Sequence, residues 1–312
     1  MFKVLHFWPV SGGMGLRFNW IVGELKSRGI GEQLCSVAAV FKSILRQASW
    51  WQKSGNKIII FASLVCPLVV LIKIFFPKID VIYFVRGDEV LEAQSRNRKL
   101  RRNIALFFQY VLWRGVKAKH IFVSWDLEVL FRRRYGAEGI SCVVPNTIGR
   151  ELPATRAFNG IVTIVGDFGT VKDIEWILKE LSGSEFSVRL YGNSIQIPLW
   201  CAENIKSFGV IDELRVALEN STLLVVASNS EGYPNIANEA LESGCAVVVH
   251  NAFPFEFFPL NEQWKFSKQS GALLQFLRDI RLKNDWRYDE ENVLLRHIVE
   301  KNWLDLLLAE VL

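Results

Sequence analysis

Short apolar segments alternate with helical segments along most of this chain, and this alternation restricts the fold more than any other feature. Strand-like runs in the second half are IVTIVGD, SVRLYGN, NIKSFGVI and LLVVAS, and helix-like runs between them are DIEWILKELSG and ELRVALENS. The first half has strand-like KVLHFWPV, DVIYFV and HIFVSW, with the helical FNWIVGELKSRG between them. Apolar strands joined by helices predict parallel sheets covered on both faces, so the expected fold class is α/β.

A segment rich in proline and glycine divides these two series. The run SCVVPNTIGRELPATRAFNG is typical of a linker, and 312 residues suggest two domains. We therefore predict domains at residues 1–150 and 151–312. The last helix of the second domain is expected to pack back toward the first.

The charge of the chain is distributed unevenly between these halves. Residues 1–150 carry 23 Lys and Arg against 9 Asp and Glu, whereas residues 151–312 carry 14 against 23. A basic first half predicts an anionic partner for that half alone, either nucleic acid or an anionic membrane. Because no nucleic-acid recognition motif accompanies the charge, we expect a membrane surface and no nucleic acid.

Cysteine and histidine usage indicates the compartment. The five cysteines form no C-x-x-C pair and the chain has four histidines, which favours a reducing compartment and no metal site. The first residues, MFKVLHFWPV, are typical of a strand and lack the features of a signal peptide. The expected location is cytoplasmic, peripheral at the inner face of the cell membrane.

The segment SNSEGYPNIANEALESGCAVVV, residues 228–249, contains the most informative pattern. Apolar strands flank it, Pro234 ends the first strand, and Asn235 is a suitable N-cap for the helix IANEALES. The predicted order is strand, turn, helix, strand. Glu231 then lies in the turn and Glu239 lies one turn into the helix.

This arrangement suits a ligand that carries both phosphate and hydroxyl groups. In a parallel sheet the turn lies at the carboxyl end of a strand, and the following helix N-terminus favours an anion. The two carboxylates can accept hydrogen bonds from hydroxyls, so the pattern indicates a nucleotide sugar. The alternative, that both glutamates are solvated charges at a helix end, stays open on spacing alone.

Four motifs together resemble a known enzyme family. They are SGGMG near the first strand, PNT at the linker, VGDFGTVKD at the start of the second domain, and SEGYPNIANEALESG near its end. In this order they resemble the retaining glycosyltransferases of family 4. The resemblance implies the GT-B architecture, in which two Rossmann-like domains face each other across a cleft.

The resemblance also implies roles for individual residues. Glu231 would contact hydroxyls of the transferred sugar, and Glu239 would bind the ribose hydroxyls. The N–H groups of Asn235 and Ile236 would meet the diphosphate. Lys172 would neutralise the donor phosphates, although an ordinary surface lysine is the alternative. The donor-binding loops would contain three glycines, Gly12, Gly13 and Gly166.

Three features depart from the family pattern. Asp167 stands after Gly166, where the family usually has a basic residue. Tyr83 and Val85 occupy the usual histidine positions of a first-domain strand, which leaves no histidine there. Finally, the last loop reads HNAFPFEFFPLNEQ, in which Glu256 could replace a family glutamate.

Arg86 follows that first-domain strand directly. It is a candidate contact for a phosphate or for the acceptor, and the alternative is an ion pair with Asp88 or Glu89. Its position at a strand end is the only basis for this hypothesis.

The function implied by the resemblance is sugar transfer from a nucleotide-diphosphate sugar, with retention and without a metal or other cofactor. The expected acceptor is a lipid-linked or cell-surface glycan. The alternative is a catalytically silent GT-B relative that acts as a binding or scaffold subunit.

Two segments of the first half bear on the membrane. Residues 96–119 place basic residues around an apolar helical stretch, a composition typical of an interfacial amphipathic helix. The alternative is an ordinary core helix with a solvated basic start. The four basic residues expected at the surface are Arg98, Lys99, Arg101 and Arg102. The apolar segment 58–76 is almost long enough to span a bilayer, but Pro67 and Lys73 favour a buried or interfacial helix.

Overall fold

The computed structural model describes residues 2–5, 23, 27, 31–34, 36–53, 55–61, 63–95, 97–144, 157–166, 172–192, 197–210, 214–229, 234–251 and 264–283. The chain divides into two compact units, with the described residues up to Val144 in the first and those from Ala157 onward in the second. Each unit contains one six-stranded sheet. The expected packing of the last helix falls in residues 284–312, outside the described part.

All strand pairs of the first sheet are parallel, in the order β2-β1-β3-β4-β5-β6. The strands are β1 (Phe2–Leu5), β2 (Gly31–Leu34), β3 (Lys57–Ile60), β4 (Asp80–Val85), β5 (Lys119–Phe122) and β6 (Ser141–Val143). The helices are α1 (Val37–Arg46), α2 (Ala48–Gln52), α3 (Cys66–Phe75), α4 (Glu89–Ser95), α5 (Lys99–Tyr110) and α6 (Trp125–Tyr135).

Local sequence explains where these elements begin and end. The Ser124 hydroxyl caps α6 by accepting a hydrogen bond from the Leu127 N–H at 3.3 Å, and arginines fill the last turn. Gly136, with φ 91°, follows the helix in a conformation that favours glycine. Central strand β4 is apolar after its first residue and is buried from Val81 to Val85.

The expectation of one buried or interfacial helix over residues 58–76 was correct only for the second part of that segment. These residues form buried strand β3, a short 3₁₀ turn at Ser63–Val65 and the ten-residue helix α3. Periodicity cannot separate a short buried strand from a helix, and Pro67 in the first turn of α3 starts that helix instead of breaking a longer one. Among the described residues, no helix is long and apolar enough to cross a membrane.

The second sheet is also parallel throughout, in the order β12-β11-β10-β7-β8-β9. The strands are β7 (Ile161–Val165), β8 (Ser187–Tyr191), β9 (Ile205–Gly209), β10 (Leu223–Val226), β11 (Ala246–His250) and β12 (Lys265–Phe266). The helices are α7 (Ile174–Leu181), α8 (Leu214–Glu219), α9 (Asn235–Glu242) and α10 (Ala272–Lys283).

The strand order of each sheet reverses once. In the second sheet β8 and β9 extend from one side of β7, and the chain then returns to place β10 on the other side. In the first sheet the reversal lies between β1 and β3. Ligands of open parallel sheets bind at the carboxyl ends of the strands beside such a reversal, so the loops after these strands are where a site is expected.

Candidate functional site

Gly166 and Lys172 lie together at the reversal of the second sheet. Gly166 directly follows β7 and has φ 150°, a conformation that L side chains rarely adopt. A Cβ atom at Gly166 would lie 3.3 Å from Cγ of Lys172. The absence of a side chain at Gly166 therefore lets the lysine stem pack closely against this turn.

Helix α9 begins after the neighbouring strand β10. Its first residues are Asn235 and Ile236, and Pro234, not Asn235, stands at the N-cap position. The N-cap expectation was therefore wrong by one residue, because proline with its fixed φ also fits a position just before a helix. The N–H groups of the first turn point out of the helix N-terminus, where an anion is favoured. Glu239 is half-buried one turn into the helix.

A polar network that sequence reasoning missed joins the loops after β7, β10 and β12. The Lys268 ammonium forms an ion pair with Asp173 and donates to Oδ1 of Asn229 at 2.6 Å. It also donates to the Ala227 carbonyl at 3.3 Å. Since Asp173 is adjacent to Lys172, this network holds the lysine-bearing turn next to the strand that leads to α9. The three side chains come from separate loops, so no local pattern could have identified them.

Asp173 adopts a left-handed conformation with φ 50°, which is uncommon for a residue other than glycine. It occupies the N-cap position of α7 but makes no side-chain hydrogen bond to the first turn of that helix. Its carboxylate instead pairs with Lys268. The ion pair therefore takes precedence over helix capping at this position.

His250 ends the adjacent strand β11 and is 2% exposed. Its Nε2 donates to the Ser228 carbonyl at 2.9 Å, because a carbonyl oxygen can only accept. Burial lowers the pKa of His250, and the Lys268 charge acts in the same direction. A neutral imidazole thus fixes the backbone directly before Asn229.

Arg86 in the first unit directly follows β4, at the carboxyl end of that sheet. Its guanidinium carbon lies 5.4 Å from the ring centroid of Phe61. Its Nε and Nη1 atoms are buried and have no hydrogen-bond partner among the described residues. Burial lowers the pKa of Arg86, and the charge of Glu89 offsets this effect only in part.

The carboxylates beside Arg86 are bound to other groups, and the alternative interpretation of Arg86, an ion pair with Asp88 or Glu89, is not formed among the described residues. Glu89 accepts hydrogen bonds from the Ser63 N–H at 3.1 Å, the Ser63 hydroxyl at 2.5 Å and the Tyr83 hydroxyl at 3.0 Å. Burial, followed by the Glu89 charge, raises the pKa of Tyr83, which therefore remains a neutral donor.

Asp88 pairs with Arg134 of α6. The Arg134 Nη1 and Nη2 atoms donate to the two carboxylate oxygens at 2.9 and 2.7 Å. The Asp88 carboxylate also accepts from the N–H groups of Val90 and Leu91 and so caps α4. This bidentate pair fixes the backbone between β4 and α4.

Several predicted residues lie outside the described part of the chain. They are Gly12, Gly13, Glu231, Asp167 and Glu256. Tyr83 and Val85, which occupy the usual histidine positions, are both described and both buried.

Only part of the basic segment 96–119 forms an exposed helical surface. Helix α5 continues into a π-helical turn at Val111–Gly115, in which Leu112 and Trp113 are buried. These two apolar residues belong to the core, in agreement with the alternative of a core helix for this part of the segment. Arg98, Lys99 and Arg101 are exposed and Arg102 is half-buried.

The described cysteines Cys66, Cys142, Cys201 and Cys245 are not in disulfides. Within the part of the chain that the structure describes, no three His, Cys, Asp or Glu side chains come together as metal ligands would.

Comparison with solved structures identifies the fold of this chain. No protein-family model matches the chain, and no curated protein matches it. A sucrose-phosphate synthase from Thermosynechococcus elongatus superposes with a TM-score of 0.76 at 16% identity, covering 99% of this chain and 97% of that one. HepE from Anabaena, solved with UDP and glucose, gives 0.69 at 12% identity, covering 99% and 98%.

The lipopolysaccharide outer core galactosyltransferase WaaB gives a TM-score of 0.60 at 12% identity, covering 95% of this chain and 97% of that one. These structures are glycosyltransferases of GT-B architecture. The chain has this fold, as its motifs predicted.

Proposed function

We propose that this protein is a retaining glycosyltransferase that transfers a sugar from a nucleotide-diphosphate sugar to a glycan acceptor. The observation that carries the proposal is the position of Lys172 and the N-terminus of α9 on adjacent loops at the reversal of the second sheet. Such a reversal is the usual ligand position in these folds. The solved structures in which HepE and a pneumococcal GlcNAc transferase are complexed with UDP and a sugar support the same class of donor.

In the proposed reaction, the bond between the anomeric carbon and the diphosphate oxygen breaks while a bond to the acceptor oxygen forms. The acceptor hydroxyl gives its proton to the departing phosphate oxygen on the same face of the sugar. Lys172 and the N–H groups of Asn235 and Ile236 stabilise the charge that develops on the diphosphate. Because these groups supply the positive charge, no metal is assigned to the step.

The carboxylates have separate roles in this proposal. Glu239 binds the ribose hydroxyls of the donor, and Glu231 contacts hydroxyls of the transferred sugar. Gly12, Gly13 and Gly166 allow the backbone to approach the substrates. A catalytically silent relative would bind a nucleotide sugar without turning it over, which is the alternative that the experiment must separate.

The experiment measures nucleoside diphosphate release from a panel of nucleotide sugars with glycan and lipid-linked acceptors. Lys172→Met should lower turnover at saturating donor, because the lysine charge acts most strongly on the departing diphosphate. Glu239→Gln should weaken nucleotide binding about ten-fold or more, the loss expected for a charge-assisted hydrogen bond. Lys206→Met and Glu203→Gln, exposed positions in the same unit, are the matched controls.

Two outcomes would contradict this assignment. Binding of a nucleotide sugar without any release favours the scaffold alternative. Wild-type binding and turnover in both Lys172→Met and Glu239→Gln would remove the donor site from this end of the sheet.

We also propose that the acceptor is carried by a membrane and that the first unit docks on its anionic inner face. Neighbouring helices α3 and α5 both leave large apolar side chains exposed. Ile74 and Phe75 on α3 are 66% and 72% exposed, and Phe107 on α5 is 62% exposed. Side chains of this kind enter the interfacial region of a bilayer.

Basic residues at the start of α5 give this surface its preference for anionic lipid. Arg98, Lys99 and Arg101 make no ion pair with any described residue, so their charges are available. Each such charge contributes about 1 kcal/mol near an anionic surface.

Sedimentation with liposomes tests the docking. Binding should require anionic lipid, weaken as salt increases, and fail when Arg98, Lys99, Arg101 and Arg102 are changed to Ser. The control removes equal charge from exposed positions on other elements of the first unit, at Lys42, Arg46, Lys53 and Arg133. Equal binding of the two variants, or binding to neutral liposomes, would contradict the electrostatic mechanism.

A further inference from the structure

The buried guanidinium nitrogens Nε and Nη1 of Arg86 have no hydrogen-bond partner among the described residues. Among the described residues it is the only arginine or lysine whose buried side-chain nitrogens lack a hydrogen-bond partner. Buried charges in proteins are normally paired, because removing an unpaired ion from water is costly. An unpaired guanidinium at the carboxyl end of a central strand therefore needs a physical reason.

The neighbouring carboxylates hydrogen-bond to groups other than the Arg86 guanidinium. Both oxygens of Glu89 accept hydrogen bonds from Ser63, and one of them also accepts from Tyr83. Both oxygens of Asp88 accept from Arg134. The acidic side chains beside Arg86 are thus held by other groups of the protein and do not pair with its guanidinium in this structure.

We propose that Arg86 is the anchor of an oxyanion-binding site, which takes a phosphate or carboxylate group of the acceptor. A guanidinium is suited to this role because it presents N–H groups in a planar fork that matches both kinds of anion. Phe61 lies against the guanidinium, with its ring centroid 5.4 Å from Cζ, and limits its orientation.

The site is accessible, and its residues belong to a different unit from the groups assigned to the donor. Arg86 is partly exposed, so an anion can approach the guanidinium from solvent. Lys172 and Glu239 belong to the second unit, whereas Arg86 belongs to the first. The identification of the anion as part of the acceptor depends on the proposed function, but the existence of the anion site does not.

The test is a titration of the full chain with inorganic phosphate, followed by ¹⁵N-edited NMR of arginine side chains. The Nε–H signal of Arg86, identified by its absence in Arg86→Lys, should move to a saturated position. The signal of Arg134, whose guanidinium is already paired with Asp88, serves as an internal control and should not move. A parallel titration with acetate separates a carboxylate preference from a phosphate preference.

A second measurement uses the stabilisation of the protein against heat by phosphate. Arg86→Met should weaken phosphate binding about ten-fold or more, the effect of losing a charge-assisted contact, whereas Arg133→Met at an exposed position should keep it. If Arg86→Met does not fold, the NMR titration of the wild type decides alone. An unmoved Arg86 signal, or full phosphate stabilisation in a folded Arg86→Met, would overturn the site.

The source of the anion is decided by repeating the titration with saturating UDP. A phosphate-induced shift that persists supports an acceptor site, and a shift that UDP abolishes assigns the anion to the donor and overturns the acceptor assignment. Normal sugar transfer with an unmoved Arg86 signal would reject this inference alone. A clear shift without any nucleoside diphosphate release would reject the proposed function and leave the anion site standing.

Discussion

The carboxyl ends of the two parallel sheets differ in whether their cationic side chains are paired. At the carboxyl end of the second sheet, Lys268 is paired with Asp173 and hydrogen-bonded to Asn229. At the carboxyl end of the first sheet, Arg134 is paired with Asp88 but Arg86 has no partner among the described residues. The same architecture thus carries a completed ion pair in one unit and an uncompensated cation in the other.

This difference indicates what each end does before a ligand arrives. A completed network fixes the positions of loops, and here it holds the turn that contains Lys172. An uncompensated buried charge lowers stability until an anion binds, so it links stability to the ligand. We infer that the second unit presents a preformed site and the first unit presents one that its ligand completes.

The largest expected effect concerns the two arginines of the first unit. Arg134→Met would leave Asp88 buried without its cation, and breaking such a pair costs about 3–5 kcal/mol. The Asp88 side chain is 1% exposed, so water cannot replace the arginine. Urea unfolding of the first unit should show the loss, and Arg133→Met, at an exposed position, should change stability by about 0.5 kcal/mol or less. Equal urea midpoints for Arg134→Met and Arg133→Met would show that the Arg134–Asp88 pair does not stabilise the first unit.

The second prediction uses pH to compare buried histidines of the two units. His120 on β5 is fully buried beside Trp113 and Phe122, and burial lowers its pKa to about 4. In the unfolded chain His120 binds a proton at its ordinary pKa near 6.5, whereas in the folded chain it does so only near pH 4. The contribution of His120 to the free energy of unfolding is therefore complete above pH 6.5. This contribution, about 3 kcal/mol in total, is lost as the pH falls from about 6.5 to about 4.

His120→Phe should remove this part of the pH dependence, as measured by urea unfolding at pH 7 and pH 4.5. The His250→Phe substitution should change the pH dependence of unfolding less, because the Ser228 hydrogen bond and the Asp173 charge oppose the effect of burial on the pKa of His250. A pH dependence of His120→Phe that matches the wild type would show that His120 does not titrate as its burial requires.

The third prediction tests whether the network of the second unit is needed for the turn. Lys268→Met removes the cation from Asp173, and losing a hydrogen bond to a charged group costs about 1.5–3 kcal/mol. Since Asp173 also has an unfavourable backbone conformation, the turn should open more often once its partner is gone. Amide hydrogen exchange at Lys172 and Asp173 should accelerate, and the exposed Lys206→Met should leave it unchanged. Unchanged exchange in Lys268→Met would mean that other contacts hold the turn.

The order of strands and helices was largely predictable because it depends on local pattern. DVIYFV was predicted as a strand and forms β4, and DIEWILKELSG contains α7. Boundaries were less accurate, since Pro234 replaces Asn235 at the N-cap of α9. Strands β2, β3, β6 and β12 were not predicted, and β6 begins the run that was interpreted as a linker. Strand β3 was missed because its apolar run continues through Pro67 into α3, and burial on both faces hides the alternation of a strand.

The candidate site was predictable only where its residues are close in sequence. Gly166 and Lys172 belong to one motif, and their proximity in the structure agrees with that motif. Lys268 lies 95 residues after Asp173 in the sequence, and only the order of strands brings them together. The same is true of Arg134 and Asp88, so the absence of a partner for Arg86 could not be deduced from the sequence. Its stated alternative, an ion pair with Asp88 or Glu89, is the arrangement that local spacing favours.

The smallest expected effect is the most specific test of the contrast between the units. Without an added anion, Arg86→Met should unfold within about 1 kcal/mol of the wild type, and at a higher urea concentration, because an unpaired buried charge is replaced by an apolar side chain. The lost contact with the Phe61 ring, worth about 0.5–2 kcal/mol, acts in the opposite direction and keeps the net change small. Adding phosphate should stabilise the wild type and reverse the order of the two proteins. If Arg86→Met is instead destabilised as strongly as Arg134→Met, Arg86 is a structural cation like Arg134, and the two sheets do not differ in the way described.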